Sequence, residues 1–152
     1  MLMNMKELLE VANKNNFAVP AFNIADYSMF NGIMNVCGEA KAPVIISIHP
    51  VELVHVGPDM LKAVREKAYK AEVPVCIHLD HGASFEQILL AIQSGYTSVM
   101  IDGSSLPFDE NIEICKKVVD AAHAVNVSVE GELGTIGSTD AEAEDGANEI
   151  IY

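Results

Sequence analysis

Two rhythms of apolar residues alternate along this chain. Short, largely apolar and partly β-branched runs at 17–22, 43–48, 74–77 and 98–101, with a fifth at 128–131, have the length and composition of buried strands. Between them apolar residues recur at three- and four-residue spacing, the period of a helix packed on one face. The first such stripe is Met5, Leu8, Leu9 and Ala12, with Asn4 placed to cap it. Phe30, Ile33, Met34 and Cys37 form the second, and Leu61, Val64, Ala68 and Ala71 mark a third helix over about 58–72. Phe85, Ile88, Leu89 and Ile92 form the fourth, closed by Gly95. The fifth starts near Pro107, whose missing N–H suits a first helical turn, and carries Ile112, Cys115, Val119 and Ala122 on one face.

Regular strand–helix alternation with continuously apolar strands predicts a parallel sheet covered on both faces. Two α/β architectures meet that description: an open doubly wound sheet and a (β/α)8 TIM barrel. The polar residues separate them. Asn23, His49, Asp80, Asp102 and Glu132 follow five consecutive strands, as if converging on one centre. An open sheet usually concentrates its site at a single switch point, so the barrel is the expected fold. A complete barrel needs eight strands and typically about 250 residues. The 152 residues therefore supply about the first five strands, and 1–152 reads as the N-terminal part of a single, longer barrel domain. From Ser138 to Glu149 the chain is small and acidic, and Ile150-Ile151-Tyr152 reads as the start of another element.

Half of the residues are hydrophobic, which argues against disorder. A formal charge of −13 argues against nucleic acid or an anionic membrane as partner. Any anion site must then be local, made by backbone N–H groups or a metal. No apolar run reaches membrane-spanning length, and the first fourteen or so positions lack the apolar core of a signal peptide. Cys37, Cys76 and Cys115 are odd in number and set in apolar patterns, as expected of buried free thiols in a reducing cytoplasm.

The densest chemistry is His78-Leu79-Asp80-His81-Gly82, which places an acid and an imidazole side by side at a strand exit. Histidine with carboxylates from other strands suits a divalent metal of the zinc type. His81 is the clear histidine candidate. His78 shares a strand face with Asp80 and reads first as a core histidine, second as a further ligand. His55 and His123 lie in helical or pre-helical segments and read as structural.

Four segments in order carry a resemblance: Val19-Pro20-Ala21-Phe22-Asn23; 74–82, ending in HLDHG; 97–104 with Pro107-Phe108 behind it; and 127–134. Together they resemble the class II, zinc-dependent ketose-bisphosphate aldolases, the family of fructose- and tagatose-bisphosphate aldolases, over essentially the whole chain. The resemblance implies Asp80 as catalytic acid and His81 as first zinc ligand. It implies Asp102 and Glu132 as carboxylates at a second or alternative metal position, so that another divalent or monovalent cation joins the zinc. Asp140 falls where the family has an acidic loop residue that moves a proton at the dihydroxyacetone phosphate carbon; its other reading is one more solvated acid. Asn23 and His49 face the substrate, and many relatives carry a small hydroxyl residue at the position of His49, so substrate preference is not copied across. Glu130 is left as structural support. The family's other two zinc histidines and its glycine-rich phosphate loops belong to strands beyond Tyr152.

The implied activity is reversible cleavage of a ketose 1,6-bisphosphate to dihydroxyacetone phosphate and glyceraldehyde 3-phosphate. Zinc serves as Lewis acid, and the complete protein is a cytoplasmic homo-oligomer of two or four chains. A Schiff-base route needs a lysine near the broken bond, and every lysine here lies in a predicted helix or at its end. Two other readings stand beside this one. The chain is part of a different metal-dependent barrel enzyme, an isomerase or hydrolase, or it is a truncated barrel that acts as a binding or assembly fragment.

Overall fold

The computed structural model describes residues 1–134, apart from the side chains of 53–56. Helix α1 (Met5–Lys14) leads into a strictly alternating series: β1 (Ala21–Asn23), α2 (Tyr27–Ala40), β2 (Val44–Ile48), α3 (Pro50–Lys70), β3 (Val75–Gly82), α4 (Phe85–Ser94), β4 (Ser98–Ile101), α5 (Phe108–His123) and β5 (Ser128–Gly131). The strands form one parallel sheet in chain order, β1-β2-β3-β4-β5. Sequential order without reversal is the winding of a barrel, whereas a doubly wound sheet reverses at its switch point.

Side chains alternate across each strand, and the two faces of the sheet differ in kind. Val44, Ile46, Ile48, Val75, Ile77, Leu79, Val99 and Ile101 face the helices and form the main core with Phe30, Val64, Ile88 and Val118. On the opposite face Ile45 and Cys76 pack against Leu8 of α1 in a separate small cluster, so α1 closes the lower end of that face. Above this cluster runs a polar row held in register across all five strands: Asn23, Ser47, His78, Ser98 and Ser128. The serines are small, and they leave room for the imidazole of His78, which is 3% exposed.

Helix ends explain where the elements stop. Asn4 caps α1 by accepting from Glu7 N–H, Asp26 caps α2 through Met29 N–H, and Ser84 caps α4 through Gln87 N–H. The first strand is shorter than the sequence suggests, Ala21–Asn23 in place of 17–22. Asn16 is left-handed and Phe17 N–H bonds back to Ala12 C=O, so 17–20 is spent closing α1 and crossing to the sheet. The third helix begins earlier than expected, at Pro50, because His49 caps a short leading segment that breaks at Gly57 (φ 65°) before the expected part begins. The fifth begins at Phe108, with Pro107 extended at the cap position.

The buried stripe of α5 is Asn111, Val118 and Ala122, rotated from the expected Ile112, Cys115 and Val119. Of the expected stripe, Ala122 is buried and Cys115 packs partly buried against the core, while Ile112, Cys115 and Val119 line an open groove of about 400 Å³ beside Leu133 and the free edge of β5. Cys37 and Cys76 are buried free thiols as expected; Cys115, in this groove, is only half-buried. No helix among the described residues is long and apolar enough to cross a membrane.

Candidate metal and acid–base site

Five strand ends meet at the upper rim of the α1-lined face. The chain brings Asp80 and His81 to it together through a local irregularity. Consecutive residues of a regular strand point to opposite faces. Here His81 adopts a left-handed conformation (φ 53°), and the β3–β4 register shifts between Leu79 and Gly82. The bulge turns His81 back toward the site beside its neighbour. Gly82 permits it: a Cβ there would lie 2.6 Å from the carbonyl oxygen of Met100.

Nδ1 of His81 lies 2.9 Å from Oδ2 of Asp102 and 3.4 Å from Oε2 of Glu132. Oδ1 of Asp80 approaches Nε2 of His81 at 3.9 Å. The other Asp80 oxygen accepts from Nδ2 of Asn23 at 2.9 Å, which holds the carboxylate from the first strand. Ser104 donates its hydroxyl (2.6 Å) and its backbone N–H (3.0 Å) to Oδ1 of Asp102, leaving the other oxygen to His81. The ring of His49 lies 6.0 Å from that of His81, but its Nδ1 accepts from Val51 N–H at 3.2 Å, so His49 also serves as the cap of α3.

The electrostatics follow from these contacts. The hydrogen bond to Asp102 raises the pKa of His81 above its ordinary value, with partial burial opposing and the charges of Asp80, Glu132 and Asp102 assisting. For Asp102, burial works upward, but the bonds from Ser104 and His81 prevail and the carboxyl sits below its usual range. Glu130 is raised, by burial first and then by the charges of Asp80 and Glu132.

His78 behaves differently. Burial pushes its pKa down to about 4, so it is neutral at pH 7. Its Nδ1 is 2.9 Å from Ser98 Oγ and its Nε2 is 3.5 Å from Glu130 Oε2. Its burial and the bond to Ser98 fit the core reading of this histidine rather than a ligand.

One donor atom each from His81, Asp102 and Glu132 lies within 4.8 Å of the other two. One imidazole nitrogen and two carboxylate oxygens are donors that divalent cations take from proteins. The residues present therefore fit a divalent cation. Asp140 lies outside the described residues, as does the side chain of His55; His123 is exposed on the last turn of α5. Sequence reasoning passed over Ser104 and Asn111. Asp102-Gly103-Ser104 is an aspartate-led turn, and Asn111 is a polar residue on the apolar stripe of α5, so each left a signal.

A sequence model described as "Fructose-bisphosphate aldolase class-II" matches residues 3–152. The chain is 43% identical over 156 residues to a probable fructose-bisphosphate aldolase of Bacillus subtilis, covering 99% of this chain and 54% of that protein. It is 43% identical over 141 residues to the fructose-bisphosphate aldolase of Geobacillus stearothermophilus, covering 90% and 49%. Among solved structures, that of the YdjI aldolase from Escherichia coli K12 superposes with a TM-score of 0.84 at 36% identity, covering 88% of this chain and 51% of the other. The chain thus spans about half the length of the curated relatives it matches, and its five-stranded sheet is the corresponding part of their (β/α)8 barrel.

Proposed function

This chain belongs to the class II fructose-bisphosphate aldolase family, and we propose that it carries the N-terminal part of the active site of a metal-dependent aldolase. The reaction is reversible cleavage of a ketose 1,6-bisphosphate to dihydroxyacetone phosphate and glyceraldehyde 3-phosphate. The observation that supports this best is the placing of His81 between Asp102 and Glu132, with Asp80 alongside. The names of the relatives favour a fructose-type substrate, with the tagatose type as the alternative.

His81 would hold the zinc as its first ligand, with Asp102 and Glu132 the carboxylates of a second or alternative cation position beside it. Once bound, the zinc supplies Lewis-acid polarisation of the ketose carbonyl. Asp80 exchanges a proton with the oxygen of the departing aldehyde half, and Asn23 keeps its carboxylate turned toward the site. Asp140 is assigned the proton at the dihydroxyacetone phosphate carbon, and His49 a place against the substrate. Residues 1–152 form part of a single barrel domain in this proposal, and the complete protein works in the cytoplasm as a dimer or tetramer.

The test is a pair of variants in the complete protein. Asp80→Ala should lower turnover by about 10²–10⁴-fold and leave bound metal near the unmodified level, whereas His81→Ala should lose the metal. Equal metal loss in both would show that the roles are misassigned.

A further inference from the structure

We infer that Asn111 is a positioning residue that sets the spacing of Asp102 and Glu132 for cation binding; the inference rests on the metal site proposed above. Glu132 lies one residue beyond β5, so its carbonyl has left the strand ladder. Nδ2 of Asn111 donates to that carbonyl at 2.8 Å. The other end of the same amide lies against the segment that carries Asp102. A Cβ built on Gly103 would sit 2.4 Å from Oδ1 of Asn111 and 2.8 Å from its Cγ, so Asn111 and Gly103 interlock. Oδ1 also accepts from Sγ of Cys115 at 3.3 Å, one turn along α5.

An amide 6% exposed on an otherwise apolar stripe therefore bridges the residue after one carboxylate and the backbone of the other. Burial of a polar side chain is unfavourable unless its groups are paired, and these partners satisfy both ends. Asp102 and Glu132 come from different strands, and β-pairing alone leaves the segments beyond the strand ends free to move apart. Asn111 ties them through a rigid helix. Groups that orient metal ligands from behind typically account for about 10–100-fold in metal affinity.

The experiment is a Co²⁺ titration of the complete protein, followed by the visible absorption of the bound ion, in the unmodified form and in Asn111→Ala, Asn111→Asp and Val118→Ala. Asn111→Asp keeps the shape but turns an acceptor toward the Glu132 carbonyl, so it reports the hydrogen bond if the alanine variant fails to fold. Val118 is fully buried in the main core on the same helix, so it reports general loss of stability. Both Asn111 variants should weaken Co²⁺ binding by about 10–100-fold and alter its spectrum, while Val118→Ala changes affinity less than about threefold despite its lower melting temperature.

A second arm needs no metal. Gly103→Ala should lower the melting temperature in the unmodified protein but not in the Asn111→Ala background, where the clash is gone. Unchanged Co²⁺ binding in Asn111→Asp, equal weakening in Val118→Ala, or additive melting shifts for Gly103 and Asn111 would overturn the positioning role. No Co²⁺ binding by the unmodified complete protein would overturn the metal site itself, and the role with it.

Discussion

Acid should destabilise this protein partly through one buried imidazole. His78 has an ordinary pKa of 6.5 and is pushed by burial to about 4 in the folded chain. Between those values the unfolded chain binds more protons than the folded one, so stability falls as pH drops through this window and levels off below it. Weighting the two protonation equilibria gives a loss of about 2 kcal/mol by pH 5 and about 3 kcal/mol by pH 4, relative to neutral pH. The side chain is 4% exposed, so solvent does little to screen the effect. His78→Gln isolates it: glutamine keeps a polar amide beside Ser98 and cannot titrate. Urea unfolding of both proteins at pH 7.5 and pH 5 measures the difference. The carboxylates titrate in both proteins and cancel in the comparison, so the unmodified protein should lose about 2 kcal/mol more than the variant. Equal losses would refute the assignment of a neutral, buried His78.

Two further outcomes concern the bulge in β3. His81→Gly should be more stable than His81→Ala by about 1 kcal/mol, the reverse of the usual strand preference, because only glycine adopts φ 53° without strain; denaturant midpoints decide it, and an alanine variant at least as stable would contradict the left-handed geometry. Gly82→Ala should cost about 1–3 kcal/mol, since the new Cβ meets Met100 O, Ile88 Cδ1 and Leu79 Cδ2 at 2.6, 2.9 and 3.0 Å; an unchanged melting temperature would show that the close strand approach is not maintained.

The strands and most helices were legible because burial leaves a periodic trace. Val44–Ile48 is apolar but for Ser47, as a strand buried on both faces tends to be, and α4 stops at Gly95. The gathering of Asn23, Asp80, His81, Asp102 and Glu132 was also legible, since parallel strands deliver their carboxyl ends to one rim. What escaped depends on lateral register and backbone conformation. That His78 falls between Ser47 and Ser98 follows from pairing across strands, which the run Val75–Gly82 does not encode by itself. The left-handed turn at His81 is unusual for a non-glycine residue and carries no local signal. Asn111 is buried on α5 with its amide donating to the Glu132 carbonyl, a partner set by a strand end twenty-one positions away.

The most direct measurement is cleavage of fructose 1,6-bisphosphate by the complete protein, read as dihydroxyacetone phosphate released, with and without a chelator and in the presence of borohydride. Cleavage that the chelator abolishes, that added Zn²⁺ restores, and that leaves no reduced substrate–lysine adduct is expected from a site built on His81, Asp102 and Glu132. Cleavage that survives the chelator, or a trapped lysine adduct, would contradict it.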